Sequence, residues 1–384
     1  MLDWDLQEFV PDDLRIIKTG AISTKSIRLV GDIGVRSLWC HYRALAKLAA
    51  YNKIDFVLIT IPSHYSAMLG RMIWRRYSIP YGIDYIDPWV HKWPGVEKIL
   101  SKAWVSYQLG LILEPWSVKD CSLITGVADG YYEGVLSRNP GLVGKVKTAS
   151  MPYGISIRDI ELAKSKQNKA YLFSDYRDKF NIIYTGAMLP HGYGVLGKFF
   201  EAIKLLHDKN SSELSDVHIH FIGTGKKTDD PFAFNVKPIA ESFNLSLYVS
   251  ECPKRISYTD TLTHLIHCSA ALIIGSDRPH YTPSKVFQAI VSGKPILAIL
   301  HEKSTAVDII RSCKAGSVHT FRDTGDIQIL ELANTLSSFL RNFRNSYLEP
   351  DSSKIEPYTA RYSANCLASQ LNQIAGEGVK PRGE

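Results

Sequence analysis

Residues 270–295 read AALIIGSDRPHYTPSKVFQAIVSGKP, and few folds can accommodate that order of residues. The first five form a short, dense apolar run, as expected of a strand covered on both faces. A polar loop follows, then a helix that opens with Thr-Pro-Ser-Lys and ends at a Gly-Lys-Pro turn. Thr282 reads as the N-cap and Pro283 as the first helical residue. The backbone N–H groups of Ser284 and Lys285 would then emerge unpaired at the positive end of the helix. With the Lys285 ammonium beside them, that end suits an anion. Gln288, three residues after Lys285, shares its face and reaches a hydroxyl near the anion. A diphosphate with a sugar ring beside it satisfies every one of these groups. An ordinary cap with a solvated lysine would also satisfy them, so the surroundings decide.

Those surroundings alternate strand and helix throughout. In the first half, residues 56–61, 81–86 and 122–125 read as strands, with helices over about 65–76, up to 116, and over about 130–136. In the second half, strands are predicted near Ile182, Ile219, Leu247, Leu272, Ile296 and Val318. The pattern is α/β: two doubly wound parallel sheets. Ligands of such sheets sit at the carboxyl ends of the strands, where Gly186, Gly223 and Ser276 fall. Each glycine fits either a turn with positive φ or a close approach to phosphate. The Pro-Tyr-Gly turn at 152–154 and the polar run 164–169 mark a change of domain. The expected division is 1–165, 166–349 and a C-terminal segment 350–384.

Composition narrows the class. A chain of 384 residues, 45% apolar and 22% charged, suits two globular domains. Its six cysteines occur singly, with no C-x-x-C pair, which argues against a zinc site and a disulfide framework and for a reducing cytoplasm. No acidic cluster suggests a metal. The acidic N-terminal stretch 1–13 lacks the apolar core of a signal peptide. Residues 104–116 are the most apolar helix, too short to span a bilayer and interrupted by Gln108 and Glu114. The net charge of +7 fits a solvated surface, and equally an anionic partner such as a nucleotide diphosphate or bilayer headgroups. Arg71, Arg75 and Arg76 around Trp74, and Lys98 and Lys102 before an apolar helix, are the places for peripheral membrane contact. No basic stripe interleaved with aromatics points to nucleic acid.

Six stretches in order carry a resemblance: IPYGIDYIDPW at 79–89, MPYGIS at 151–156, NIIYTGAMLPHGYGVLGKFFEAIKLL at 181–206, HIHFIGTGKK at 218–227, CPKRISYTDTLTHLIHCSAALIIGS at 252–276 and YTPSKVFQAIVSGKPILAIL at 281–300. Together they resemble the nucleotide-sugar glycosyltransferases of the GT-B fold, in particular bacterial family-4-like members. The resemblance implies two Rossmann-like domains facing a cleft, with the sugar nucleotide on the second. It implies a C-terminal helix, about 360–374, that returns to the first domain. The first domain's opening βαβ unit has no counterpart here. The donor-binding set is then Gly186, Gly223, Arg255, Ser276, His280, Tyr281, Thr282, Ser284, Lys285 and Gln288. His280 and Gln288 occupy the positions of the family's paired glutamates, and the loop after Thr185 lacks its Arg/Lys pair.

Asp87, at the end of a predicted strand, is the candidate catalytic group, able to take a proton from an acceptor hydroxyl. Followed by Pro88, it is also a good helix N-cap. The resemblance implies no cofactor or metal besides the donor, a glycan or lipid-linked acceptor, and a cytoplasmic protein at the inner face of a membrane. Two rival readings stay open. One is a GT-B binding protein or truncated inactive transferase, which His280, Gln288 and the absent unit favour. The other is a nucleotide-sugar epimerase.

Overall fold

The computed structural model describes residues 6, 9–11, 13–23, 31–61, 63–91, 95–152, 154–227, 229–278, 283–344 and 351–376. The chain divides into two units: Arg15–Gly154 with Ala360–Glu384, and Met1–Leu14 with Ile155–Thr359.

The first unit runs α1 (Ile33–Tyr51), β1 (Val57–Thr60), α2 (Met68–Tyr77), β2 (Tyr81–Tyr85), α3 (Lys102–Val118), β3 (Leu123–Gly126), α4 (Asp129–Arg138) and β4 (Lys147–Ser150). Its sheet is parallel, in the order β1-β2-β3-β4. Two of these elements escape the sequence pattern. In β4, KTAS has no apolar run, and its four residues are all half-buried. In α1, the start is fixed by Asp32, whose Oδ1 accepts from Val35 N at 3.0 Å and from Ser63 Oγ at 2.9 Å. Glu114, the charge inside the apolar helix α3, is fully buried and paired bidentately with Arg138 of α4, at 2.7 and 3.0 Å. A buried carboxylate needs such a partner. Glu114 thus ties two helices together.

The second unit runs α5 (Ile157–Ser165), β5 (Phe180–Thr185), α6 (Tyr193–Asp208), β6 (Val217–Ile222), α7 (Lys237–Ser242), β7 (Val249–Cys252), α8 (Tyr258–His267), β8 (Ala270–Ile274), α9 (Lys285–Val291), β9 (Ile296–His301), α10 (Thr305–Ser312), β10 (Gly316–Phe321), α11 (Ile329–Phe343) and α12 (Ser352–Ile355). The last helix, α13 (Ala360–Gly376), belongs to the first unit, where Ser363 Oγ donates to Pro152 O at 2.9 Å. The expected boundaries at 165 and 350 both move. Helix α5 joins the second unit because Ile160 and Ala163 pack on Leu262 of α8. The chain leaves that unit only after Thr359, which bridges Ile155.

The second sheet is parallel, in the order β10-β9-β8-β5-β6-β7. The chain enters at the centre with β5, works outward through β6 and β7, then crosses to β8 and works outward the other way. The sequence therefore yields one switch point, between β5 and β8. On one face, Ile182, Tyr184, Ile219 and Phe221 pack under Phe199 and Phe200 of α6 and Phe339 of α11.

The opposite face is polar at β5 and β6. Asn181 donates its amide to Tyr176 O and Lys179 O, so its Oδ1 must accept, and His220 Nε2 donates to it at 2.8 Å. His220 Nδ1 then accepts from Ser250 Oγ at 2.9 Å. His218 stacks on Tyr176, with ring centroids 3.6 Å apart. Burial brings the pKa of His218 down to about 4 and that of His220 to about 3, from the ordinary 6.5. Below pH 6.5 the unfolded chain takes up protons that these rings refuse in the fold, so stability falls as the pH falls and the loss is complete only near the lowered values. Thermal unfolding should therefore move to lower temperature between pH 7 and pH 4.5. His220→Gln should flatten that dependence, by at most about 1.4 kcal/mol per pH unit. An unchanged slope would assign the acid sensitivity elsewhere.

Candidate functional site

The carboxyl edge of the second sheet gathers most of the described donor-site candidates. Strand β5 is followed by Gly186, with φ +92°, and β6 by Gly223, with φ +74°. Side chains rarely adopt such values, and glycine does so freely. Gly186 N donates to Ile222 O at 2.8 Å and Gly223 N to Cys252 O at 2.7 Å, so the two turns are locked side by side. A Cβ on Gly223 would lie 3.7 Å from Gly186 Cα, and one on Gly186 would lie 3.7 Å from Lys285 Nζ. The glycines thus form a floor beneath an ammonium group.

Lys285 is half-buried, its Nζ 3.7 Å from the centroid of the Tyr184 ring. The ring face gives part of the stabilisation that water would give. No carboxylate among the described residues pairs with it, and burial brings its pKa down to about 7. An anion would relieve this cost.

The surroundings add donors. Arg255, in the loop between β7 and α8, is exposed, and its Cγ would lie 4.0 Å from a Cβ on Gly223. Ser276, just after β8, is buried, and its Oγ accepts from Arg278 N at 3.3 Å. Gln288 lies one turn beyond Lys285 on α9 and is half-buried. A further cluster closes the loops of the switch point: His191 Nδ1 pairs with Asp277 at 3.0 Å and Arg278 bonds His191 Nε2 at 3.1 Å. Sequence reasoning missed these three. His191 and Asp277 are 86 residues apart, and their one signal was that both loops follow strands at the same sheet edge.

Two expectations change. Helix α9 begins at Lys285, not at Pro283, because Val286 N and Phe287 N bond to Pro283 O and Ser284 O in three-residue steps. Ser284 is exposed in that turn. A helix of seven residues sums few peptide dipoles, so the ammonium outweighs the helix end as the attraction for an anion. His280, Tyr281 and Thr282 lie outside the described residues.

No protein-family model matches the chain, and no curated protein matches it in sequence. Solved structures do. HepE of Anabaena in complex with UDP aligns with a TM-score of 0.54 at 13% identity, over 90% of this chain and 83% of that one. A UDP-forming trehalose-phosphate synthase of Burkholderia vietnamiensis aligns with a TM-score of 0.60 at 12% identity, over 91% and 79%. The corresponding synthase of Burkholderia xenovorans gives 0.56 at 12% identity, over 89% and 79%. The fold is GT-B. At these identities the likeness is one of architecture.

In the first unit of this GT-B fold, Asp87 follows β2 and is exposed at the carboxyl edge of the sheet. The helix-cap reading fails: the chain bends through 86–91, and α3 begins at Lys102, capped by Ser101 Oγ, which accepts from Trp104 N at 3.1 Å. Two residues beyond Asp87, Trp89 is stacked parallel to the His64 ring, with ring centroids 6.0 Å apart. Asp87 is thus free of a capping role and held on a braced loop. Among the described residues no group of three or more His, Cys, Asp or Glu side chains is placed to hold a metal ion.

Lys285 gives a pH test of the donor-site expectation. UDP-glucose carries a constant charge across neutral pH, so it reports the lysine alone. Below pH 7 Lys285 is already protonated in the free protein. Above pH 7 binding must restore the proton, and affinity should fall by up to about tenfold per pH unit. Lys285→Met should bind roughly ten- to hundredfold more weakly at pH 6.5 and lose the pH dependence. A flat wild-type titration from pH 6 to pH 9 would remove Lys285 from the anion's contacts.

Proposed function

We propose that the protein is a glycosyltransferase that moves a sugar from a nucleoside diphosphate to an acceptor hydroxyl. The observation that carries this is the Lys285 ammonium, unmatched by any carboxylate among the described residues, above Gly186 and Gly223 beside the β5/β8 switch point. Structural neighbours hold UDP, UDP with glucose, or UDP-glucose, or are UDP-forming synthases, which makes UDP the first nucleotide to test. Lys285 and Arg255 would meet the charge that grows on the diphosphate as the glycosidic bond breaks. Gln288 would bond the ribose, and Ser276 and Ser284 would line the diphosphate side. Asp87 would accept the proton of the acceptor hydroxyl.

The acceptor we assign is a growing surface polysaccharide or a lipid-linked glycan, reached from the cytoplasmic face of a membrane. Helix α3 supports this. Val105, Leu109 and Ile112 form an exposed stripe, and the exposed Ile99 and Leu100 precede it between Lys98 and Lys102. Apolar residues flanked by lysines suit an anionic bilayer surface. No helix among the described residues is long and apolar enough to cross a membrane.

A thermal-shift screen with UDP, GDP, dTDP and CMP should show stabilisation by one or more of them. Absence of any shift would favour a binding protein without a nucleotide site. Sugar conversion without an acceptor would favour an epimerase. Asp87→Asn should keep the nucleotide-induced shift and lose transfer by about a hundredfold or more. Retained turnover in that variant would take Asp87 out of the mechanism.

A further inference from the structure

Leu100 has a φ of +65°, a left-handed conformation that a bulky side chain takes only when its surroundings impose it. Those surroundings are a closed, hydrogen-bonded turn. Lys98 N donates to Gly95 O at 3.2 Å and Ser101 N to Lys98 O at 3.0 Å. Ser101 Oγ donates to Gly95 O at 2.7 Å, and Gly95 N to Glu97 Oε2 at 3.1 Å. Ser101 Oγ also accepts from Trp104 N, which fixes the turn to the start of α3. What this order holds out is a pair of aliphatic side chains, Ile99 at 76% exposure and Leu100 at 78%. Neither belongs to a core, so strain and exposure together call for an occupant outside the chain. The surface that continues from them says which. Val105, Leu109 and Ile112 extend the apolar face along α3, with exposed lysines at both ends: Lys98 and Lys102 before it, Lys119 after it. The one acidic residue of α3, Glu114, is buried against Arg138, and Glu97 is engaged by the Gly95 amide. An apolar stripe edged by ammonium groups matches the acyl chains and phosphates of an anionic bilayer.

We propose that the turn at 95–101 is a membrane wedge: Ile99 and Leu100 enter the acyl region of an anionic bilayer while Lys98, Lys102 and Lys119 meet lipid phosphates and α3 lies along the interface. The strained turn keeps the pair from folding back onto the protein, so little ordering remains to be done when they insert. The wedge rests on the membrane-side acceptor reading given above and names the residues that reach the surface.

The test sediments the full-length protein with vesicles of phosphatidylcholine, alone or mixed equally with phosphatidylglycerol. Wild type should bind the mixed vesicles and release them as salt is raised. Leu100→Gly removes the side chain and frees the backbone, so its thermal midpoint should hold or rise while its affinity for mixed vesicles falls about tenfold. That pairing separates loss of the wedge from loss of the fold. Lys98→Gln combined with Lys102→Gln should bind mixed vesicles about tenfold more weakly and lose most of the preference for them. A wild type that ignores both vesicles, or a Leu100→Gly protein that binds them as wild type does, overturns the wedge. So does a wild type that dimerises without vesicles and loses the dimer in Leu100→Gly, which would give this face to a second copy. Vesicle binding by a wild type that no nucleotide stabilises would overturn the donor-site reading instead.

Discussion

A half-buried ammonium without a carboxylate partner among the described residues is costly, and Lys285 carries that cost at the carboxyl edge of the second sheet. Tyr184 offers only a ring face, which attracts a cation without neutralising it. The acidic groups at the ends of neighbouring strands are engaged elsewhere. Glu251, on β7, accepts from Val236 N at 3.0 Å and Lys237 N at 2.7 Å, closing the start of α7. Asp277, after β8, is paired with His191. With those carboxylates engaged, the edge keeps its positive character for a ligand. Of the two glycines, Gly186 lies beside the ammonium, where an added Cβ would stand 3.7 Å from Lys285 Nζ.

Much of this second sheet was legible in the sequence. Strands β8 and β9 are buried along their whole length, so they must be apolar along their whole length, and the runs AALII and ILAIL announce them. Gly186, Gly223 and Lys285 were legible by position, because each follows such a strand through a loop or at once. The start of α9 was misread because Thr-Pro-Ser-Lys carries a cap pattern, while the backbone closes a tight turn through Pro283 and Ser284 first. Residues whose roles depend on distant partners left no local signal. His220 finds Asn181 39 residues before it and Ser250 30 residues after it. Helix α5 looked like the end of the first unit because its anchor, Leu262, lies almost 100 residues further on. In the first unit, β4 is half-buried and polar, so its place was set by pairing with β3 and not by its own composition.

The amide at position 288 and the lowered pKa of Lys285 belong to one arrangement. A carboxylate three residues along the same helical face would attract the ammonium and raise its pKa, holding the lysine charged whether or not a ligand were present. It would also neutralise part of the field that a bound diphosphate would meet. With a neutral Gln288 on that face, burial brings the lysine to about 7, and a bound anion would complete its protonation.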